Sequence, residues 1–235
     1  MQVSIIIPVF NEARLIRPFL SNLRERTPGA EIIVVDGAST DGTDQLAQGF
    51  CDQVIESPRR SRAQQMNVGA DAARNDIFWF LHADAEVPLE SLNEIRRIMG
   101  DPKVCGGFFR IRLPAAPPVY RLTDGFAHYA GLMLQMRCGD HGIFCRRSAF
   151  ADIHGFPDVP LMEDVEFFRR LRRCGRVVHS NKRIATSPRR YETVGPARLT
   201  FAYGLIATLY LFGVPLSALA HVYERTCCSP ELSSL

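Results

Sequence analysis

The chain lacks the markers that would place it in several large functional classes. Lys and Arg exceed Asp and Glu by only three charges and are spread along 235 residues rather than gathered into a stripe, so the electrostatic footprint of a nucleic-acid binder is missing. Seven cysteines are an odd number, set singly at Cys51, Cys105, Cys138, Cys145 and Cys174 and adjacent at Cys227 and Cys228. That pattern holds neither a zinc spacing nor a disulfide framework; the adjacent pair suits surface thiols, with lipidation as the lesser alternative. No repeat or low-complexity tract is visible. Met1 to Ile5 carry no charged leader or cleavage site and read as the start of a core strand, so a reducing, cytoplasmic setting is expected. What the chain does have is 46% hydrophobic and 23% charged residues, enough for one large domain or a domain with an appendage.

The first half alternates strand and helix. Val3 to Val9 is a β-branched run ending in the turn Phe10-Asn11-Glu12, and Leu15, Phe19, Leu20 and Leu23 follow at helical spacing. Glu31 to Asp36 is a second buried strand, and the small polar loop Gly37 to Thr43 feeds another helix. Asp52 to Ser57 reads as a short strand, and Ser61 to Ala73 as a helix with Ala63, Met66, Ala70 and Ala73 facing a sheet. Ile77 to Leu81 is a strand, and Leu89, Leu92, Ile95, Ile98 and Met99 line a further helix. This order predicts an α/β fold around a mostly parallel sheet with right-handed crossovers. Val104 to Leu113, with Gly106-Gly107 inside it, reads as a strand at an edge or bend. Pro114 to Pro118 breaks the alternation. Tyr120 to Met136 is then expected to be helical, Ile143 to Cys145 a strand, Met162 to Gly175 a helix, Val177 to His179 a strand and Ser187 to Tyr191 a loop.

The chemistry gathers where apolar strands stop. Ile77-Phe78-Trp79-Phe80-Leu81 runs straight into His82-Ala83-Asp84-Ala85-Glu86, and in open parallel sheets ligands bind outside the carboxyl ends of strands. His82 and Asp84 on that turn can share one divalent cation and, through it, a phosphate; the plainer reading makes Asp84 the cap of the helix beginning near Leu89. Glu163 and Asp164 fall in a first helical turn, where the helix dipole favours acids, so dipole placement and catalysis both fit them. The arginine runs Arg59-Arg60-Ser61-Arg62 and Arg169 to Arg173 suit solvated faces, phosphate or an anionic membrane.

Seven segments in order, SIIIPVFNE, VVDGASTDGT, RAQQMNVGA, FLHADAEVP, GDHGIFCRR, MEDVEFFRRL and SPRRYE, together resemble the inverting, metal-dependent glycosyltransferases of family 2. The resemblance covers Val3 to Tyr191 and implies the GT-A fold: a nucleotide-sugar-binding half over 1–113 and an acceptor half over 114–195, followed by an apolar helical segment over 196–235. It also implies roles. Pro8, Glu12 and Asp36 would line the base and ribose pocket, Arg62 would reach base or diphosphate, and Asn67 would be a structural hydrogen-bonder. Asp84 would hold Mn²⁺ or Mg²⁺ on the diphosphate, with His82 standing where the family carries an acid. A neutral imidazole brings no charge, which favours Mn²⁺ over Mg²⁺. Asp164 would be the catalytic base, Glu163 and Asp140 would lie near the acceptor, and Arg190, with Arg189 and Tyr191, would lie near the diphosphate. The implied donor is a UDP-sugar ahead of a GDP-sugar, and the implied acceptor a hydroxyl, with a lipid-linked one as a further expectation. Asp36 is followed by Gly37 where the family often has a second aspartate, which leaves base choice open.

Two other classes compete. A sugar-phosphate nucleotidyltransferase would use a similar sheet but needs a glycine-rich loop after the first strand, where this chain has VFNEARL. A non-catalytic nucleotide-sugar-binding or membrane scaffold gains from His82 and from the charge-free stretch Thr200 to Ala220. That stretch has the length to span a bilayer, but Gly213-Val214-Pro215 should split it into two short helices. Such a pair, expected ahead of a true span, would lie peripherally at the inner membrane face, or pack on the catalytic domain or in a homodimer.

Overall fold

Alternation within β1 (Val3–Val9) shows how the sheet is clad on both faces: Ile5 and Ile7 enter one core cluster and Ile6 the other. The computed structural model describes residues 1–112, 141–187 and 189–227. After β1 come α1 (Ile16–Arg26), β2 (Glu31–Asp36), α2 (Thr43–Ala47), β3 (Gln53–Glu56), α3 (Arg62–Ala72), β4 (Ile77–Phe80), α4 (Ser91–Met99) and β5 (Val104–Arg112). Beyond the Pro-rich break follow β6 (Phe144–Arg146), α5 (Arg147–Asp152), α6 (Glu163–Cys174), β7 (Arg176–Ala185), α7 (Arg189–Val194), α8 (Pro196–Leu211) and α9 (Leu216–Cys227).

The strands form one seven-stranded sheet in the order β3-β2-β1-β4-β6-β5-β7. Among the described strands only β6 runs against the rest, pairing antiparallel with both β4 and β5, while the other strand pairings are parallel. The mostly parallel α/β expectation therefore holds. Ile16, Leu20 and Leu23 of α1 and Leu92, Ile95 and Ile98 of α4 cover one face. Ala63, Met66 and Ala70 of α3, Ala149 and Phe150 of α5, and Phe167, Phe168 and Leu171 of α6 cover the other.

Several expectations need correction. β5 lies inside the sheet rather than at an edge, and its glycines serve close packing: a Cβ on Gly107 would stand 2.5 Å from the Phe144 ring. β7 is the edge strand and runs to Ala185, well past His179; a register shift between Phe108 and Arg110 on its partner hides its alternation. Ser187 to Tyr191 is not all loop, since α7 begins at Arg189. Leu89 precedes α4 and is 68% exposed. Cys227, expected at the surface, is buried in a small cluster with Leu199 and Ala202. No continuous span forms over 200–220: α8 stops at Leu211, the chain turns at Gly213 with φ +77°, and no described helix is long and apolar enough to cross a membrane. Tyr120 to Met136 lies outside the described residues.

Candidate active site

At the carboxyl ends of β1 and β2 the two following loops are stitched together by side chains. The backbone N–H groups of Asn11, Glu12 and Ala13 donate to Ser39 Oγ at 2.9 Å, Thr43 Oγ1 at 2.8 Å and Asp41 Oδ2 at 3.0 Å. In return Asn11 Oδ1 accepts from the Thr40 N–H at 2.9 Å. Burial would raise the Asp41 carboxyl, but the Thr43 hydroxyl and the Ala13 and Thr43 amides outweigh it and hold it below the usual range. Asp36 is buried at the end of β2 and accepts from both the amide (2.7 Å) and the hydroxyl of Ser39. Beneath them, the buried Gln65 side chain donates to the carbonyls of Val9 at 2.7 Å and Val35 at 2.8 Å. Ser39, Asp41, Thr43 and Gln65 were missed as site-building residues; a Gln on the sheet-facing side of α3 was the available signal, because a buried amide must find partners.

Pro8 sits in a central strand at no cost to the ladder. The β1–β4 register ends at Ile6 with Phe80, and Pro8 lies on the same edge of the strand, past the point where β4 turns away. Glu12 follows at the loop, and its carbonyl accepts from Leu15 and Ile16, opening α1. Arg62 is exposed at the first position of α3. Asn67 is structural, as the resemblance implied: it donates to the Phe156 carbonyl at 2.9 Å and accepts the Phe156 N–H at 2.8 Å.

The turn after β4 is pinned from two sides. The Leu81 N–H donates to the Ile6 carbonyl at 3.0 Å, and Glu86 exchanges backbone hydrogen bonds with Ala185 at the end of β7. Between these anchors His82 and Asp84 are half-buried. The Asp84 carboxylate makes no hydrogen bond or ion pair with any described residue, and α4 begins only at Ser91 without a side-chain cap. The capping reading of Asp84 is thereby excluded. Gly142 floors this turn: its φ is +55°, and a Cβ there would lie 2.3 Å from Ile184 Cδ1 and 3.2 Å from Leu81 Cδ2. Beside it, His141 Nδ1 donates to the Phe109 carbonyl at 3.0 Å.

Topology brings Glu163 and Asp164 to the same side of the sheet. α6 is joined to β7 by Gly175 alone, so it runs back along that strand, and its 12 residues bring its first turn level with the middle of β7 rather than its end, on the side of the sheet toward which β4 also runs. Both acids are half-buried, and Asp164 Oδ1 accepts the Val165 N–H at 2.7 Å. Just before them Met162 adopts φ 63°, a left-handed conformation that is costly for a side chain with a Cβ and that recurs at functional sites. Asp140 lies outside the described residues, as does the side chain of Arg190 on α7.

The sequence of residues 4–151 matches the family model for glycosyl transferase family 2. This chain belongs to that family. Among curated relatives, the glycosyltransferase AglE of Haloferax volcanii is 27% identical over 215 residues, which is 87% of this chain but only 65% of that protein. Among solved structures, the mannosyltransferase PcManGT from Pyrobaculum calidifontis, in complex with GDP-Man and Mn²⁺, superposes with a TM-score of 0.67 at 20% identity, covering 99% of this chain and 77% of that one. Glucosyl-3-phosphoglycerate synthase from Mycobacterium tuberculosis, bound to Mn²⁺, UDP and glucosyl-3-phosphoglycerate, gives 0.63 at 18% identity, covering 91% and 81%. These likenesses establish the GT-A fold for the family 2 chain.

Proposed function

We propose that the chain moves a sugar from a nucleoside-diphosphate sugar to an acceptor hydroxyl with inversion, 1–195 forming the catalytic unit and 196–235 an appended helical segment. The observation that carries this reading is one side of the sheet: Asp36 ends β2, the turn bearing Asp84, which has no partner among the described residues, follows β4, and α6 runs back against β7 so that its first-turn acids face that same side. Pro8, Glu12, Asp36 and Arg62 bind the nucleotide, and Arg190 is assigned to the diphosphate from the family resemblance. Asp164, on the far side of the anomeric carbon, takes the proton of the attacking hydroxyl. Glu163 and Asp140 orient the acceptor.

A divalent cation fits this donor set in one particular way. No group of three or more His, Cys, Asp or Glu is gathered among the described residues, so Asp84, with His82 beside it, would hold an ion whose remaining ligands are diphosphate oxygens. When bound, such an ion neutralises charge on the departing diphosphate. Mn²⁺ suits the imidazole better than Mg²⁺, and UDP- and GDP-sugars are both carried by structural neighbours. The acceptor hydroxyl is assigned to a lipid-linked molecule because α8 and the turn after it expose Phe201 and Phe212, side chains suited to a membrane surface. A thermal-shift panel of UDP, GDP and their sugars with Mn²⁺ tests the donor assignment. A ligand at about 100 times its Kd should add about 2.7 kcal/mol of stability. No shift with any nucleotide would defeat the reading, and pyrophosphate release from a nucleoside triphosphate would favour the nucleotidyltransferase instead.

A further inference from the structure

We propose that Arg60 is a gate on the nucleobase slot: its guanidinium rests on the open face of Phe10, which the donor's base must take. The inference rests on the nucleotide-binding reading above and adds a residue that reading does not use. Arg60 Cζ stands 3.7 Å from the centroid of the Phe10 ring, the separation of a planar group stacked on an aromatic face. Phe10 lies in the crease beside Asp36. Val9 before it accepts the Gly37 N–H at 2.9 Å, and Asn11 after it is bonded to Ser39, which in turn bonds Asp36.

The loop carrying Arg60 is fastened to the same place. The Ser57 N–H donates to the Asp36 carbonyl at 2.7 Å, the buried Ser57 hydroxyl donates to the Arg59 carbonyl at 2.9 Å, and Arg59 pairs with Asp158 at 3.6 Å. Arg60 is thereby delivered over Phe10, with its side chain exposed. Phe10 is half-buried, and the ring face under the guanidinium takes one planar partner at a time. A base stacking on the ring has the same geometry as the guanidinium and must displace it. The gate therefore lowers the affinity for any base by the same factor.

Isothermal titration of UDP and GDP in Mn²⁺ buffer with the wild-type chain, Arg60→Ala, Phe10→Leu and the double variant tests this. Removing an exposed cation–aromatic stack should tighten both nucleotides about two- to five-fold, leaving the UDP-to-GDP ratio unchanged. Phe10→Leu should weaken both, and Arg60→Ala should add nothing in the Phe10→Leu background, since the face it blocks is gone. Equal or weaker binding by Arg60→Ala would overturn the gate while leaving the donor reading intact. Failure of wild type and Arg60→Ala alike to bind either nucleotide would overturn the donor reading and the gate with it.

Discussion

Asp84 and Asp164 differ in what holds them, and that difference separates their expected roles. Asp84 has no partner among the described residues, so a half-buried carboxylate on a pinned turn is left for a cation. Asp84→Ala should abolish the gain in nucleotide affinity that Mn²⁺ provides while leaving the fold intact; titrations with and without Mn²⁺ measure it, and an unchanged gain would remove Asp84 from the metal site. Asp164 accepts the Val165 N–H and sits in the favourable dipole of α6, so its placement alone is compatible with a purely structural acid. Asp164→Asn keeps that shape but cannot accept a proton. It should cut transfer by about 10²–10⁴-fold with donor affinity unchanged, whereas near-normal turnover would return it to a structural role. Asp84 was legible because it follows directly on an apolar strand, and Asp164 because it stands in the first turn of a helix within a segment that resembles the family. Gln65 and Ser39 were not, because their importance lies in bonds to backbone far away in sequence.

The strands β1, β2 and β4 were legible because each is a continuous apolar run, the mark of burial on both faces. The second half was less so. β6 is only three residues long, and β7 is an edge strand whose irregular pairing with β5 erases the alternation a reader needs. Gly142 shows how tightly this half is joined to the first. Gly142→Ala would place a Cβ within 2.3 Å of Ile184 at φ +55°, combining left-handed strain with overpacking. The loss should be about 2–5 kcal/mol, read as a lower denaturation midpoint at unchanged slope. Glu31 at the start of β2 gives the sheet a pH dependence. Burial would raise its carboxyl, but the Arg74 amide, the Ser4 hydroxyl and the Arg74 guanidinium outweigh this and hold it below the usual range. A depressed folded pKa stabilises above the unfolded value of about 4.3 and loses that contribution as pH falls through the folded value. Glu31→Gln should therefore destabilise the chain at neutral pH and flatten its stability profile below about pH 4.3, as urea melts across pH would register.

On the scale of the whole molecule, α8 and α9 are an appendage with a cluster of their own. Leu199, Ala202 and Cys227 are buried with one another, while Phe201 is 72% exposed and Phe212, at the turn between the helices, 83%. The pair is also tied to the helix bearing Asp164: the Tyr210 hydroxyl donates to Glu166 and accepts from Arg169 Nη1 at 2.6 Å. Whatever surface the pair meets is thus mechanically linked to the proposed base. Exposed Arg198 and Arg225 meet at the end of the pair opposite that turn, where Arg198 donates to the Arg225 carbonyl at 3.5 Å, and basic side chains there suit anionic head groups. Full burial of a Phe side chain is worth about 1.5–3 kcal/mol, so two of them could hold the protein on a bilayer without a span. The chain should float with vesicles containing anionic phospholipid, less so in high salt. Phe201→Ser with Phe212→Ser should reduce that binding at least about tenfold while leaving transfer to a water-soluble acceptor unaffected. If the protein instead fails to float, and the same substitutions dissociate a homodimer in sedimentation, the exposed aromatics belong to a subunit interface and the lipid-linked acceptor loses its support.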